Sequence, residues 1–151
     1  MDAGSGTIEI DTDRSRLDVA LVHDFLSNAS YWARGIPLET VRRSIAHSLC
    51  FGVYDGGAQV GFARLVTDHA TFAYLADVFI LDSHRGRGLS KLLMDAIVGH
   101  PEVQGLRRWL LGTRDAQGLY AQYGFHPLAA PERFMERHDP HVYERPTGSE
   151  A

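Results

Sequence analysis

One cysteine in 151 residues leaves no internal disulfide and no multi-cysteine zinc site to consider. No stretch approaches the ~18 consecutive apolar residues of a membrane-spanning helix. The polar opening, Met1 through Asp13, lacks the basic and apolar segments of a secretion signal. Nor is there a basic tract. Fifteen Lys plus Arg face nineteen Asp plus Glu, a net charge of −4, which argues against nucleic acid as an obligate partner. Repeats and Pro/Gly/Ser linkers are missing too. These absences lead to the expectation of a cytoplasmic protein without a membrane partner, a single domain over 1–151, with frayed ends at about 1–6 and 146–151.

Hydrophobic residues at 44% and charged residues at 23% match an ordinary globular chain. A chain of this length buries roughly 68–70% of its unfolded surface, enough for a proper core. Eight histidines are scattered. The one close pair, His138 and His141, lies near the C-terminus without cysteine support and reads as solvated tail, so no metal is expected. Cys50 falls on a predicted strand and reads as a small buried apolar residue.

Strands are expected over 8–10, 49–54, 58–66, 72–81 and 109–111, with late strands at 134–135 and 142–143. Asp55-Gly-Gly57 is the tight-turn signal between the second and third. Asp13 is positioned to cap a helix carrying Leu17, Ala20, Leu21 and Phe25, and Pro37 opens a second bearing Leu38, Val41 and Ile45. Leu89, Leu92, Leu93, Ala96 and Ile97 follow the cleanest helical spacing in the chain, stopped by His100-Pro101. A short helix from an Asp115 cap ends at Gly124. The order β-α-α-β-β-β-α-β-α-β fits an α/β (α+β) fold: a mixed, mostly antiparallel central sheet with helices on both faces.

Between the longest strand and the best helix lies His84-Arg-Gly-Arg-Gly-Leu-Ser90. Gly86 and Gly88 allow sharp turns and close ligand approach. The following helix presents unpaired N–H groups and the positive end of its dipole. Arg85, Arg87 and Lys91 add three cations, with no acid between Asp82 and Asp95. Such a junction is an anion site suited to phosphate or pyrophosphate. It has neither the Gly-Lys-Ser/Thr of a P-loop nor the third glycine of a dinucleotide fingerprint, since position 91 is Lys.

Arg85-Gly-Arg-Gly-Leu-Ser90 resembles the Gln/Arg-x-x-Gly-x-Gly/Ala pyrophosphate loop of the GCN5-related N-acetyltransferase superfamily. Ala76-Asp-Val-Phe-Ile-Leu81 is similar to the family's central strand, and Ala116-Gln-Gly-Leu-Tyr-Ala-Gln-Tyr-Gly-Phe125 to its late Leu-Tyr-x-x-x-Gly-Phe segment. The resemblance covers about 38–128. Ser90 and Thr113 depart from it, standing where relatives carry Gly or Ala and Asn.

The resemblance implies acetyl-CoA as co-substrate, wedged between the fourth and fifth strands. Arg85, Gly86, Arg87, Gly88, Leu89 and Ser90 would then cradle its diphosphate. Val78, Phe79 and Ile80 would offer N–H groups to the thioester carbonyl, with Phe79 or Ile80 as the best single donor. Tyr120 would protonate the departing thiolate, as a phenol can at neutral pH, and would line the coenzyme site.

Asp77, the lone carboxylate of its strand, is a candidate general base or partner for a cationic acceptor, or else a structural residue. Glu39 and His23 are weaker candidates. Tyr31 and Trp32, adjacent in a loop, form either a wall for the acceptor or a lid on the core. Arg64 and Arg114 are candidate partners for an acidic group on the acceptor. The implied activity is acetyl transfer to a primary amine, a small molecule in preference to a protein lysine or N-terminus, by direct attack in a ternary complex. A non-catalytic acyl-CoA-binding module is the competing class. Sheet-edge pairing into a homodimer is a further expectation.

Overall fold

In the computed structural model, residues 7–144 are described. The frayed ends expected at 1–6 and 146–151 lie outside them. Five strands form one sheet in chain order: β1 (Ile8–Asp11), β2 (Leu49–Asp55), β3 (Ala58–Thr67), β4 (Phe72–Ile80) and β5 (Arg108–Leu111). The first four run antiparallel, and β5 lies parallel to β4. That parallel step needs a crossover, supplied by α3 (Leu89–Val98).

Each sheet face has its own core. On one, Leu89, Leu93, Met94 and Ile97 of α3 pack on Phe51, Val53, Ala63, Leu65 and Leu75. On the other, Val22, Leu26, Val41 and Ile45, from α1 (Val19–Asp24) and α2 (Leu38–Ala46) and the turn between them, cover Cys50, Phe62 and Phe79. Burying one such aliphatic side chain is worth about 1.5–3 kcal/mol. Helices on both faces match the expected architecture.

Several local expectations are corrected. Asp13 caps only a short turn over Arg14–Arg16, and Asp18 starts α1 by accepting the Leu21 N–H at 3.1 Å. The chain then widens into a π-type turn, Phe25–Ala29. On α3 the buried stripe includes Met94, and Leu92 is left exposed. The short helix α4 (Gln117–Ala121) starts at Ala116 with no side-chain cap, so Asp115 does not cap it; the Thr113 hydroxyl accepts the Ala116 N–H at 3.1 Å and fixes the turn ahead of the helix. No strand forms at 134–135 or 142–143. Phe134 follows a 3-10 turn, Pro131–Arg133, and Val142–Glu144 is another. Two-residue apolar pairs bury too little to hold a strand, and Met135 is fully in solvent.

Candidate active site

Two irregularities in β4 build the site. The first is a bulge. Arg64 pairs with Ala76 and Phe62 with Phe79, so Asp77 and Val78 together oppose the single residue Ala63. Asp77 sits at φ +56°, a left-handed conformation that Asp tolerates better than most residues. A bulge takes backbone groups out of the ladder and re-aims side chains. The second is a splay. β4 and β5 pair only from Phe72–Arg108 to Leu75–Leu111 and then part, so β4 beyond Leu75 has no strand on that side.

A cleft of about 750 Å³ fills the gap. Val78, Phe79 and Ile80 form one wall, Ala116, Leu119 and Tyr120 the other, and the glycine loop closes the end. Phe79 contributes through its backbone, because its ring is buried and stacked on Phe25 at 3.9 Å. Gly86 and Gly88 hold φ values of +79° and +76°, and a Cβ built on either would meet nothing within 4 Å. Their backbone therefore faces open space. Gly88 also precedes α3 without any side-chain cap, leaving the helix's first amides available to an anion.

The loop's side chains divide. Arg85 turns back, donating from Nε to the Ile80 carbonyl at 3.1 Å and pairing with Asp82 at 2.9 Å. Leu89 is buried in the core, so only its backbone is at hand. Arg87 does not line the cleft, whereas Ser90, Lys91 and His84 do. His84 Nε2 lies 2.8 Å from Asp55 Oδ2, tying the loop to the end of β2. Thr7 first and His84 second hold the Asp55 carboxyl below its ordinary range.

A second cleft, about 500 Å³, opens on the other side of the splay between Tyr31, Trp32, Tyr74, Leu75, Asp77 and Leu111. Tyr31, Trp32, Val78, Ala116 and Tyr120 are among the residues lining both clefts, which therefore meet at the bulge, with the two loop aromatics standing at the junction. Tyr120 is buried at that junction. Desolvation chiefly, with Tyr31 and Asp115 nearby, pushes its phenol above the usual tyrosine value. It keeps its proton at neutral pH and can donate it.

Trp32 Nε1 donates to Asp77 Oδ1 at 2.8 Å, and Arg64 Nε donates to Asp77 Oδ2 at 2.9 Å. Arg64 also reaches the Ser48 hydroxyl at 3.1 Å, so it is tied up within the protein. Arg114 lies with its guanidinium 3.8 Å from the Tyr31 ring centre, and its N–H donates to the Tyr31 hydroxyl at 3.1 Å. His23 Nε2 faces the Ile36 carbonyl at 3.0 Å and braces the loop before α2, and Glu39 is exposed at the start of α2. Cys50 is buried, its thiol pushed up to about 11 by desolvation. Among the described residues no cluster of three or more His, Cys, Asp or Glu could hold a metal ion, and no helix is long and apolar enough to cross a membrane.

Sequence reasoning did not place Tyr74, Phe25 or Leu119 at the site. Lys91 was visible as a loop cation. Tyr74 carries no local signal: an aromatic at an alternate strand position looks like core, yet it is exposed and belongs to neither core.

The match to known proteins agrees with this geometry. The family described as acetyltransferase (GNAT) domain matches residues 46–127, more than half of the chain. FG08082 of Gibberella zeae, named as a candidate acetyltransferase, is 31% identical over 140 residues, covering 78% of this chain and 77% of that protein. A crystal structure of a candidate GNAT-family acetyltransferase from Xanthomonas campestris pv. campestris is 55% identical, with a TM-score of 0.90 over 91% of this chain and 97% of the other. A candidate acetyltransferase from Clostridium acetobutylicum, in a crystal structure with acetyl-CoA, shares the fold at a TM-score of 0.63 and 12% identity, covering 87% of this chain and 96% of that one. A bulged β4, a splay beside it, a bare glycine loop ahead of α3 and these matches converge: the chain belongs to the GNAT family of acetyltransferases.

Proposed function

We propose that the protein transfers an acetyl group from acetyl-CoA to the primary amine of a small molecule, by direct attack in a ternary complex. The observation that carries this reading is the meeting of the two clefts at Val78 and Tyr120. A donor held in one and an acceptor entering from the other come together beside a buried phenol.

Acetyl-CoA, when bound, supplies the activated thioester. The chain's own residues do the rest. Backbone amides between Gly86 and Ser90, with the α3 dipole and Lys91, hold the diphosphate. Amides of β4 between Val78 and Ile80, on the side left without a strand beyond Leu75, would donate to the acetyl carbonyl, where negative charge develops. Tyr120 holds a proton at its phenol oxygen and delivers it to the departing sulfur. The aromatic second cleft, with Tyr31 and Trp32 on its wall, receives the amine. A lysine-like amine is only ~0.1% neutral at pH 7, so the attacking nitrogen must lose a proton to water or a nearby group first. The proposed compartment is the cytoplasm, where a free thiol such as Cys50 stays reduced.

The test is Tyr120→Phe. A missing general acid costs about 10²–10⁴-fold in rate, so turnover in a thiol-release assay falls at least about tenfold while coenzyme A affinity by calorimetry stays within about twofold. Unchanged turnover removes Tyr120 from the mechanism; coenzyme A binding by wild type without turnover of any amine is the result that favours a binding module.

A further inference from the structure

We propose that Trp32 is the specificity-determining wall of the acceptor cleft, selecting amines carried on a flat apolar body, and that Asp77 is the positioning residue that holds it. The inference rests on assigning the second cleft to the acceptor.

Tyr31 and Trp32 are 45% and 41% exposed, yet neither is loose. Each polar atom has a protein partner: Trp32 Nε1 on Asp77, Tyr31 Oη on the Arg114 amide. The rings brace each other edge to face, with centres 5.0 Å apart and planes at 83°. One face of Tyr31 already carries the Arg114 guanidinium. Surface aromatics gain little from being fixed in this way unless something docks on them. Their ordering entropy has been met before any ligand arrives, and the loop between α1 and α2 is pinned to both banks of the splay, to β4 through Asp77 and to the chain after β5 through Arg114.

Asp77 shows the same logic from below. Its side chain is only 10% exposed, its backbone is left-handed, and each carboxylate oxygen has a donor. A partly buried ion pair is a poor source of stability, because desolvation offsets the attraction. What the arrangement does supply is geometry: Arg64 orients the carboxylate, and the carboxylate orients the indole. A carboxylate so engaged is ill placed to relay the amine's proton, so Asp77 acts through Trp32 and not on the reacting nitrogen. The cleft facing Trp32 is lined by Tyr74, Leu75 and Leu111. Leu75 is buried, and Tyr74 is the exposed aromatic that a ring entering beside Trp32 would meet, a contact that aromatic pairs favour.

The experiment measures kcat and KM by thiol release, at saturating acetyl-CoA, for 2-phenylethylamine, n-propylamine and a lysine-containing peptide. Wild type is expected to prefer 2-phenylethylamine over n-propylamine by about tenfold or more in kcat/KM, a ratio of the size that aromatic contact can supply. Trp32→Ala brings that ratio close to one. Asp77→Asn lowers the ratio through KM, with the pH profile of kcat keeping its wild-type shape. In a Trp32→Phe background, which keeps a ring but has no N–H, Asp77→Asn adds nothing further to KM. Thermal melting confirms that each variant is folded.

A preserved ratio in Trp32→Ala overturns the wall, and so does equal use of both amines by wild type; in either case the small-amine reading stands. Loss of a pH-dependent limb in Asp77→Asn, with kcat falling, makes Asp77 the base and overturns its positioning role. Turnover of the peptide alone overturns the small-molecule reading and this inference with it.

Discussion

Replacing Gly88 by alanine is expected to leave the protein folded and to cripple its grip on coenzyme A. The two effects can be sized separately. Gly88 holds φ +76°, and a Cβ built there meets no atom within 4 Å. The stability loss is thus backbone strain alone, roughly 1–2 kcal/mol for an L-residue in the left-handed region. For a chain of this size that lowers the melting temperature by about 2–8 °C.

The ligand effect is larger. The new methyl stands in the cleft where the diphosphate approaches, and displacing one hydrogen bond to a charged group costs about 1.5–3 kcal/mol. Coenzyme A affinity should fall by about 10–150-fold. Gly105→Ala is the control: the same left-handed strain (φ +74°) and the same open surroundings, on the loop after α3 and away from the cleft. Calorimetry with coenzyme A and with pantetheine, which has no diphosphate, completes the set. Gly88→Ala should weaken the first far more than the second, and Gly105→Ala neither. A folded Gly88→Ala variant that binds coenzyme A as wild type does would refute the phosphate-cradle assignment.

Three further outcomes are expected. Tyr120→Phe loses at least about tenfold in turnover with coenzyme A binding retained. Because burial raises the Tyr120 pKa from its usual value of about 10, its protonated, donating form persists throughout the neutral and mildly alkaline range. The pH profile of kcat/KM should therefore rise with amine deprotonation and show no descending limb below about pH 10; a descending limb near pH 8 would assign the acid role elsewhere. Asp68 accepts the N–H groups of Thr71, Ala70 and Phe72 between β3 and β4, which holds its carboxyl far below the ordinary range. A depressed carboxyl stabilises the fold fully above its unfolded value of about 3.9 and loses that contribution as pH drops through the folded value. Wild type should thus exceed Asp68→Ala in urea midpoint at neutral pH, with the gap narrowing below about pH 4; a gap constant down to pH 2 would contradict the assignment.

The parts of this molecule readable from sequence are those set by local chemistry. Asp55-Gly-Gly57 fixes the β2–β3 turn, and the α3 stripe and the glycine loop announce themselves by spacing and by missing side chains. Asp13 was misassigned because spacing does not show that it closes a separate short turn and that the helix proper begins at Asp18. Asp115 failed as the α4 cap because the backbone path puts Ala116 at the cap position, with Thr113 bonding its N–H just ahead of the helix.

Although Asp77 stood out as a lone acid in an apolar strand, the bulge was not legible from the residues themselves. Its register slip is a property of the β3–β4 pair and not of either strand alone. The Arg64–Asp77–Trp32 chain and the Tyr31–Arg114 contact join residues 13, 45 and 83 positions apart, separations that no periodicity encodes. The late strands failed because an apolar pair such as Phe134 and Met135 has nothing to pack on; Phe134 lies under Arg108 at 4.7 Å, and Met135 points into water.

A crystal structure of the protein with coenzyme A tests the account most directly. The pantetheine arm should lie in the gap that opens beyond Leu75 and Leu111, with diphosphate oxygens about 3 Å from the amides between Gly86 and Ser90 and the sulfur beside the Tyr120 hydroxyl. Density that places the diphosphate away from that loop, or the thiol on the far side of β4, would contradict it.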